Sequence, residues 1–310
     1  MRCLVTGGAG FIGSHIVERL IKEGHTVRVL DDFSSGKVSN LHQVNGKFEL
    51  MVGDIRNQAT CDIACKDMDT VFHLAAWRSV PKSLIFPETY NDVNINGTLK
   101  MLKAATSCSV QRFIFASSSS VYGTIGRLPL KEEYYPQLIS PYALTKLSGE
   151  YYCRIFSLHY GLETICLRYF NVFGPRQAWD DEYSAVIPKF IKLMLADEML
   201  PIYGGGGQSR DFNYIDNVVN ANMLAMQNKD IDFRVFNVGS GMDNTILNLV
   251  KVLERITGKE AVTRLLPERK GDVYRTRADI TKIQKKLNYV PIVDFKEGLT
   301  RVVNYIKETL

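Results

Sequence analysis

The first half of the chain alternates short apolar runs with longer segments of helical periodicity. Five of the apolar runs predict strands, namely Arg2–Thr6, Thr26–Leu30, Phe48–Val52, Thr70–Leu74 and Arg112–Ala116. Ser14–Glu23 and the segments between most of the other runs predict helices. Because the runs are almost wholly apolar, helices must cover both faces of the sheet, as they do in parallel sheets. Right-handed crossovers then predict an α/β fold with a doubly wound parallel sheet.

The pattern changes after about Asn171, where loops lengthen and glycine and proline become more frequent. Helical periodicity remains in three segments, namely Ile187–Ala196, Asn217–Gln227 and Thr245–Thr257. The C-terminal part is mixed and basic. We therefore predict a larger domain, residues 1–170 with about 211–240, and a smaller mixed α/β lobe, about 171–210 with 241–310, that covers the carboxyl edge of the sheet.

Composition and charge are those of a soluble globular protein, with 45% apolar and 23% charged residues. The net charge of +5 is spread along the chain without a basic block, so it does not indicate nucleic-acid binding. No apolar stretch reaches the ~18 residues that a membrane span needs, and no signal peptide is visible. The scattered cysteines lack histidines at zinc-ligand spacing, which predicts free thiols and no metal site. We expect a cytoplasmic protein.

A glycine-rich turn, Gly7-Gly8-Ala9-Gly10-Phe11-Ile12-Gly13, joins the first predicted strand to the first helix. Of its three spaced glycines, one makes the tight turn, one lets a pyrophosphate approach the backbone, and one lets the helix pack on the strand. The helix N-terminus offers N–H groups and a positive dipole end to phosphates. Asp31 ends the second strand, where a carboxylate would hold the ribose hydroxyls of NAD and repel the 2′-phosphate of NADP. The sequence thus predicts a Rossmann-like NAD-binding domain.

Two further strands end in residues that point toward the same crevice. Asp54-Ile55 follows the third strand and Leu74-Ala75-Ala76 follows the fourth. Because parallel strands end at the ligand crevice of such sheets, these residues are candidates for cofactor contact. For Asp54, a helix N-cap is an equally good interpretation, and both can hold.

A serine-rich strand end and a Tyr–Lys pair form the candidate catalytic group. Ser118 belongs to the run Ser117–Ser120, and Tyr142 and Lys146 lie four residues apart on one face of a predicted helix. A free phenol has a pKa of about 10, which is too high for a base at neutral pH. A nearby ammonium and the positive nicotinamide ring would lower that pKa. Ser118 and Tyr142 could then remove a hydroxyl proton while hydride leaves the same carbon.

The order and spacing of these motifs resemble those of the extended short-chain dehydrogenases/reductases, and more narrowly those of the UDP-sugar 4-epimerases. The resemblance covers nearly the whole chain and rests on Thr6–Gly13, His73–Ala76, Ser118 with Val121–Gly123, Tyr142 with Lys146, Leu167–Pro175 and Arg210–Phe212. It implies that Tyr142 is the base and that Ser118 is its hydroxyl partner. Lys146 would both tune Tyr142 and hold the nicotinamide ribose.

The resemblance also implies which residues surround each ligand. The cofactor residues would be Gly7, Gly10, Phe11, Ile12, Gly13, Asp31, Asp32, Asp54, Ile55, Leu74, Ala75, Ala76, Asn94, Tyr142, Lys146 and Tyr169. The substrate residues would be Ser118, Ser119, Asn171, Ala185, Val186, Tyr203, Arg210, Arg269, Asp272 and Thr276.

Several of these substrate residues have specific implied roles. Asn171, Arg210 and Arg269 would hold the diphosphate of a UDP-sugar, for which a planar guanidinium is well suited. Tyr203 would stack on uracil, and Asp272 would bind ribose hydroxyls. From the residues alone, Arg210 with Asp211 could equally form a local salt bridge, and Tyr203 could be a packing ring.

The residues after Ser118 separate the possible reactions. Dehydratases of the family carry an acidic pair there, and UDP-glucuronate decarboxylases keep a glutamate before Val-Tyr-Gly. Ser119 and Ser120 supply no carboxylate, which disfavours both reactions. Epimerisation needs only hydride removal, rotation of the keto-sugar and hydride return to the opposite face. The resemblance therefore implies a UDP-hexose 4-epimerase.

Two positions depart from the family pattern, and the first of them bears on the sugar. In glucose-restricted epimerases a bulky residue blocks the 2-substituent, and the aligned residue here is Thr276. Because a small side chain leaves room for an N-acetyl group, we expect activity on UDP-GlcNAc and UDP-GalNAc, alongside UDP-Glc and UDP-Gal. Arg78 stands where some relatives have lysine, and the sequence assigns it no role.

Two other functions fit part of this pattern. One is another sugar-nucleotide oxidoreductase or decarboxylase of the same fold. The other is a non-catalytic, dinucleotide-binding regulator, although such relatives usually lack the tyrosine or lysine that Tyr142 and Lys146 supply here.

The helices near Gly97–Ser107 and Ala143–Tyr160 carry apolar residues on more than one face. In the family, such helices form a four-helix bundle between two subunits, so the resemblance implies a homodimer. Packing of both faces inside one subunit is the alternative.

Overall fold

The structure is a computed structural model that describes residues 1–178, 185–228, 233–268 and 273–309. Its strands are β1 (Arg2–Thr6), β2 (Thr26–Asp31), β3 (Glu49–Val52), β4 (Thr70–His73), β5 (Arg112–Ser118), β6 (Glu163–Tyr169), β7 (Val172–Phe173), β8 (Leu200–Tyr203), β9 (Ser209–Arg210), β10 (Asn213–Tyr214), β11 (Phe233–Val238), β12 (Asn244–Thr245) and β13 (Thr263–Leu266). Seven of them form one parallel sheet in the order β11-β6-β5-β4-β1-β2-β3.

The α-helices are α1 (Phe11–Lys22), α2 (Gln58–Cys65), α3 (Val80–Ile85), α4 (Pro87–Asn91), α5 (Thr98–Ser107), α6 (Pro141–Tyr160), α7 (Val186–Leu195), α8 (Ile215–Gln227), α9 (Ile246–Thr257), α10 (Thr281–Leu287) and α11 (Phe295–Thr309). Short 3₁₀ turns cover Val38–Val44, Ser119–Tyr122 and Gly204–Gly206, and a π-helix covers Asp92–Gly97 between α4 and α5. None of the helices in the described ranges is both long and apolar enough to cross a bilayer.

Helices cover both faces of the central sheet, as its apolar strands require. On one face α1 packs beside α8, and its buried residues Ile16, Val17 and Leu20 lie on the stripe that faces the strands. On the other face lie α2, α5 and α6. Gly149 lets α6 approach β5 closely, because a Cβ there would come within 2.3 Å of the Phe115 ring. The predicted α/β fold with a doubly wound parallel sheet is therefore confirmed.

A smaller domain built on α7, α9 and α11 lies against the carboxyl edge of the sheet. Three two-stranded pairs belong to this region: β7 with β10, β8 with β13, and β9 with β12, the last being antiparallel. Helix α11 packs on α7 and α9 through Leu299, Val302, Val303 and Ile306. These four residues have helical spacing, which would have predicted α11 within the C-terminal segment that the sequence analysis described only as mixed and basic.

Candidate active site

A cavity of about 760 Å³ opens at the carboxyl ends of the central strands. Its wall is formed by the residues that follow β1, β2, β3, β4, β5 and β6, and by parts of α6 and α11. Since ligands of open α/β sheets bind at this edge, the cavity is the candidate site. The groups around it fall into a cofactor wall, on the strands β1 to β5 with α6, and a substrate wall, on the segments after β6 and around β9.

The glycine turn of the cofactor wall has the geometry that a dinucleotide requires. Gly7 has φ +67°, which favours glycine, and a Cβ at Gly13 would lie 2.2 Å from the Gly7 carbonyl oxygen. Gly10 is the N-cap of α1, and no side chain caps this N-terminus in the described chain. The first N–H groups of α1 and its positive dipole end therefore face the cavity, as a pyrophosphate needs.

Asp31 closes this end of the cavity. Its carboxylate accepts hydrogen bonds from the Ala9 N–H at 2.9 Å and from the Phe33 N–H at 2.9 Å, which hold it against the glycine turn. Burial raises the pKa of Asp31 above its ordinary value. Asp32 also lines the cavity, but its side chain accepts from the N–H and hydroxyl of Ser34. The carboxylate of Asp31 is thus fixed where ribose hydroxyls of NAD would lie, so the residues present fit this cofactor.

Asp54 and Asn94 do not line the cavity, although sequence reasoning placed both at the cofactor. The Asp54 carboxylate pairs with the guanidinium of Arg56 at 2.6 Å. The N-cap interpretation of Asp54 is wrong, because Asn57 caps α2 by accepting from the Thr60 N–H. Ile55, next to Asp54, does line the cavity.

Asn94 lies behind the cavity wall and fixes the loop after β4. Its side chain accepts from the Trp77 N–H at 2.8 Å and donates to the Trp77 carbonyl at 2.9 Å, and it also donates to the Thr145 hydroxyl at 3.0 Å. Asn94 reaches these groups from the π-helix, an irregularity that often occurs at functional sites. It therefore ties the loop that carries Trp77 and Arg78 to the helix that carries Tyr142 and Lys146.

Helix α6 presents Tyr142 and Lys146 to the cavity. Ser140 caps its N-terminus by accepting from the Ala143 N–H at 3.1 Å, and Pro141 occupies the first turn. The four-residue spacing places both side chains on the face toward β5, whose end carries Ser118. The three predicted catalytic residues therefore line one cavity.

The Tyr142 phenol is almost fully enclosed. Burial raises its pKa above the ordinary value, whereas a hydrogen bond with the Ser118 side chain and the charge of Arg78 act in the opposite direction. Tyr90 packs edge-on against the Tyr142 ring with centroids 6.4 Å apart. The groups that lower the pKa of Tyr142 are thus Ser118 and Arg78, the second of which sequence reasoning had left without a role.

Lys146 contacts the backbone and not the phenol oxygen. Its ammonium donates to the Ala116 carbonyl at 2.8 Å and lies 5.1 Å from the centroid of the Phe115 ring. Burial lowers the pKa of Lys146 to about 8. Lys146 is not among the groups that shift the pKa of Tyr142, and its ammonium lies 6.0 Å from the Tyr142 ring centroid.

A buried histidine links the strand ends beneath the cofactor wall. His73 contacts the Thr6 hydroxyl through Nδ1 at 2.8 Å and the Thr98 hydroxyl through Nε2 at 2.9 Å. The Thr98 hydroxyl donates in turn to the Asn94 carbonyl at 2.6 Å. Burial, and to a lesser extent the charge of Lys146, lowers the pKa of His73 to about 3. His73 is therefore a neutral hydrogen-bonding link in the folded protein.

A buried ion pair supports the catalytic strand from the other side. Arg168 on β6 forms two hydrogen bonds with Glu150 on α6, at 2.8 and 2.7 Å, and the Ser117 hydroxyl donates to the same carboxylate at 2.5 Å. These contacts fix β5, β6 and α6 relative to one another one residue away from Ser118. Tyr122, part of the motif that follows, lies in the core and donates to Asn237 at 2.6 Å.

The substrate wall is assembled from segments that are distant in sequence. Asn171 and Ala185 line the cavity. The Thr276 hydroxyl lies 3.5 Å from Asn171 Oδ1, and the Thr276 N–H donates to the Ser209 carbonyl at 3.2 Å. The Arg210 guanidinium donates to the Ser209 carbonyl at 2.9 Å and to the Tyr274 carbonyl at 3.2 Å. Thr276 and Arg210 thus form a second layer that begins at Asn171.

Asp211, beside Arg210, binds the backbone of neighbouring loops. Its carboxylate accepts from the N–H groups of Ser240, Gly241 and Ala278 at 2.7 to 3.0 Å. Burial raises the pKa of Asp211 to about 6. Asp211 therefore holds together the loops that support the substrate wall.

The cavity wall contains most of the predicted site residues. It includes Gly7, Gly10, Phe11, Ile12, Gly13, Asp31, Asp32, Ile55, Leu74, Ala75, Ala76, Ser118, Ser119, Tyr142, Lys146, Tyr169, Asn171 and Ala185. Val186, Tyr203, Arg210 and Thr276 lie outside the wall itself, and Arg269 and Asp272 lie outside the described residues.

Several wall residues were missed by the sequence analysis. They are Ser34, Ser35, Gly36, Lys37, Ser39 and Asn40 after β2, Trp77 and Val80 after β4, Arg176, Gln177 and Ala178 after β7, and Tyr305 and Thr309 on α11. The loop after β2 could have been found from its position behind Asp31. The α11 residues could not, because only the packing of the second domain brings them to the cavity.

Comparisons with known proteins agree with this geometry. The family model "NAD dependent epimerase/dehydratase family" matches residues 3–239. A "Putative UDP-glucose 4-epimerase" of Methanocaldococcus jannaschii is 38% identical over 98% of each chain. The solved UDP-N-acetylglucosamine 4-epimerase of Methanobrevibacter ruminantium, in complex with UDP-N-acetylmuramic acid, is 40% identical, with a TM-score of 0.95 over 100% of this chain and 99% of that one. The UDP-glucuronic acid 4-epimerase of Bacillus cereus, solved with UDP-glucuronic acid and NAD, is 36% identical, with a TM-score of 0.92 over 100% of both chains.

The resemblance predicted from the motifs is therefore confirmed over the whole chain. The chain belongs to the NAD dependent epimerase/dehydratase family, within the extended short-chain dehydrogenases/reductases, and is an NAD-dependent enzyme of the UDP-sugar 4-epimerase type.

Proposed function

We propose that the enzyme interconverts UDP-hexoses that differ in configuration at C4, through a transient 4-keto sugar. The observation that carries this proposal is that Ser118, Tyr142 and Lys146 line one cavity with the glycine turn and Asp31. NAD, when bound, accepts a hydride from C4 and returns it. A rotated keto-sugar receives that hydride on its other face, which inverts C4.

The proton of the C4 hydroxyl passes to Tyr142, with the Ser118 hydroxyl between them. Burial keeps the phenol protonated in the protein alone, so Tyr142 needs a further positive charge to act as a base. Oxidised NAD would supply that charge when bound, and Arg78 adds a second one. The same phenol then returns the proton when the keto group is reduced.

Ser119 and Ser120 support epimerisation over elimination or decarboxylation. Both line the cavity beside Ser118, and the Ser118 hydroxyl donates to the Ser120 hydroxyl at 3.1 Å. In the described residues of the wall the only carboxylates are Asp31 and Asp32, at the opposite end. The described residues of the wall around Tyr142 therefore include no carboxylate that could act as a second acid or base for loss of water.

We also propose that the enzyme accepts an N-acetyl group at C2 of the sugar, so that UDP-GlcNAc and UDP-GalNAc are substrates alongside UDP-Glc and UDP-Gal. Thr276 supports this, because it is only 9% exposed and stands directly behind Asn171 of the cavity wall. A tyrosine at this position would have to displace Asn171 or enter the cavity. The names of the similar proteins include several different UDP-sugars. Similarity therefore favours none of them, and the proposal for the N-acetylated sugars rests on Thr276.

The test is incubation of the purified protein with UDP-GlcNAc and UDP-Glc separately, with the products resolved by NMR. We expect the C4 epimer of each. Thr276→Tyr should lower the ratio of kcat/KM for UDP-GlcNAc to that for UDP-Glc by about 100-fold, because it closes the space for the larger substituent. Thr276→Ser keeps that space and serves as the matched control. Equal losses for both sugars in Thr276→Tyr would reject the gate, and no epimer from either sugar would reject the reaction.

We propose further that two copies of the chain pair through α5 and α6. Leu144, Tyr151, Ile155 and Leu158 are exposed on α6 at helical spacing, 44% to 67% by area, and form an apolar stripe. A second copy would cover this stripe in a four-helix bundle. Sedimentation should give twice the mass of 35.0 kDa, and a monomer at micromolar concentration would contradict the dimer.

The domain assignment also stands as a proposal. We assign NAD to residues 1–170 with about 211–240, and the UDP-sugar to the lobe of about 171–210 with 241–310. Both α8 and β11 contact the main sheet, which supports their place in the NAD domain. All six cysteines are free thiols, which suits the reducing cytoplasm in which we place the enzyme.

A further inference from the structure

The charges of the cavity wall are unevenly distributed. Its described carboxylates, Asp31 and Asp32, both follow β2, at the end predicted for the adenosine ribose. The catalytic end contains the cations Lys146 and Arg78, and no described carboxylate lines it. A ligand that reaches this end therefore meets a positive wall.

No ion pair holds Arg78 in the described part of the chain, whereas a carboxylate holds Arg176, another cation of the wall. Arg176 pairs with Glu18 at 2.5 Å, and Lys146 donates to the Ala116 carbonyl. Arg78 is exposed toward the cavity, and its charge is close enough to Tyr142 to act on the phenol. A guanidinium at this place can hold an anionic group of a ligand through charge-assisted hydrogen bonds.

The backbone beside Arg78 is held firmly. The side chain of Asn94 grips the N–H and carbonyl of Trp77 and the hydroxyl of Thr145 at once. The Trp77 ring packs edge-on against Tyr90 at 5.7 Å, and Tyr90 packs in the same way on Tyr142. The start of the Arg78 side chain is thus fixed relative to the catalytic phenol.

We propose that Arg78 is a specificity-determining residue that selects UDP-hexoses whose sugar carries a carboxylate, of which the C5 uronates are the simplest. This inference rests on the proposed function, since it places C4 of the sugar at Tyr142. The C5 carboxylate is on the carbon next to C4, so it lies close to Tyr142 whenever C4 does. Ser119 and Ser120 supply hydroxyl donors beside the same position. The N-acetyl group at C2 is on the other side of the ring, so the proposed Thr276 gate and Arg78 act on different substituents.

Two other tasks for Arg78 make different predictions. If its guanidinium bound the UDP diphosphate, every UDP-sugar would lose affinity equally when Arg78 is replaced. If it acted only on the Tyr142 phenol, kcat would fall equally for all sugars and their pH profiles would shift together. Only a contact with the carboxylate changes the ratio between charged and neutral sugars.

The experiment measures kcat and KM for UDP-glucuronate, UDP-N-acetylglucosaminuronate, UDP-Glc and UDP-GlcNAc, with the C4 epimers identified by NMR. For the wild type we expect kcat/KM at least tenfold higher for each uronate than for its neutral parent. Arg78→Gln should lower that ratio about 100-fold, mainly through KM, as expected for loss of a charge-assisted hydrogen-bonded pair. Arg78→Lys keeps the charge without the planar fork and should lower the ratio about tenfold.

Lys22→Gln is the matched control, because Lys22 is an exposed cation at the end of α1 and its loss changes net charge alone. In Lys22→Gln the ratio of kcat/KM for each uronate to that for its neutral parent should equal that of the wild type. An equal loss for all four sugars in Arg78→Gln, or a wild type that epimerises neutral sugars with no preference for uronates, would overturn the inference and leave the epimerase function standing. If none of the four sugars is epimerised, the proposed function itself fails.

Discussion

The two walls of the cavity are built in different ways. The cofactor wall consists of strand ends that neighbour one another in the sheet, and its key contacts are made by backbone groups that approach closely, as at Gly7 and Gly13. The substrate wall contains Asn171, and a second layer behind it holds Arg210 and Thr276, which are joined to it by hydrogen bonds between separate loops. The close backbone contacts at Gly7 and Gly13 leave no room for an added Cβ in the cofactor wall. The substrate wall is built from side chains, which can be replaced by others.

This difference separates affinity for the cofactor from choice of the sugar. A dinucleotide held by a helix N-terminus and a buried carboxylate depends on the sheet itself, so its binding should be the same for any sugar. The residues proposed to contact the sugar lie on loops that the sheet does not constrain, and in such loops specificity can change without loss of the fold. Tyr142 and Ser118 lie where the two walls meet.

The largest expected effect comes from the boundary between the walls. Tyr142→Phe removes the proton acceptor and should lower kcat about 10³-fold, the contribution of a general base. Because the ring and its packing against Tyr90 remain, NAD should stay bound in a full complement. Turnover is measured by NMR and bound NAD by absorbance after denaturation.

Tyr90→Phe is the matched variant, because it removes a neighbouring hydroxyl and leaves Tyr142 in place. It should retain turnover within about tenfold, as expected for loss of an indirect contact. Turnover unchanged by Tyr142→Phe would remove Tyr142 from the mechanism. Loss of NAD in that variant would show that the two walls are not separable at this residue.

The contrast also explains what could be predicted from the sequence. The glycine turn, Asp31 and the Tyr142–Lys146 pair are local patterns whose spacing alone predicts their position on strands and helices. Thr276 and Arg78 have no such local pattern. Thr276 is positioned beside Asn171, and the backbone next to Arg78 is held by the Asn94 side chain; both of these partners are distant in sequence. Asn94 was predicted to face the cofactor, but only the structure shows that it holds the loop behind the wall.

A second test addresses the close approach in the cofactor wall. Gly13→Ala places a Cβ 2.2 Å from the Gly7 carbonyl oxygen and 2.8 Å from the Gly8 Cα, so the turn must move. We expect the affinity for NAD to fall about 100-fold, because the N–H groups of α1 lose their alignment with the pyrophosphate. UDP binding, which uses the other wall, should change less than threefold by titration calorimetry.

Gly126→Ala is the control, because nothing lies within 4 Å of a Cβ at that position. It should bind NAD as the wild type does. Normal NAD affinity in Gly13→Ala would mean that the turn is adaptable, and the contrast between a rigid and an exchangeable wall would then be lost.

The smallest expected effect concerns the response of each wall to acid. The pKa of His73, beneath the cofactor wall, is lowered by burial to about 3, so the unfolded chain binds a proton that the folded one excludes between about pH 6.5 and pH 3. The stability that neutral His73 provides is present above pH 6.5 and is lost as the pH falls through this window.

The pKa of Asp211, beneath the substrate wall, is raised to about 6, so the folded chain binds a proton more readily than the unfolded one. Its contribution therefore has the opposite sign, and stability rises as the pH falls from about 6 to 3.8.

The two responses oppose each other between about pH 6 and pH 4 and should largely cancel in the wild type. His73→Gln removes the first and should change the slope of unfolding free energy against pH by ~1.4 kcal/mol per unit, toward greater relative stability in acid. Asp211→Asn should change the slope by a similar amount in the other direction. Urea unfolding at four pH values measures both slopes as differences from the wild type, so the titration of every other group cancels. Gly126→Ala, which removes no titratable group, should leave the slope unchanged. If His73→Gln and Asp211→Asn changed the slope in the same direction, the two groups would not titrate independently. The two walls would then be separate in geometry but not in their response to pH.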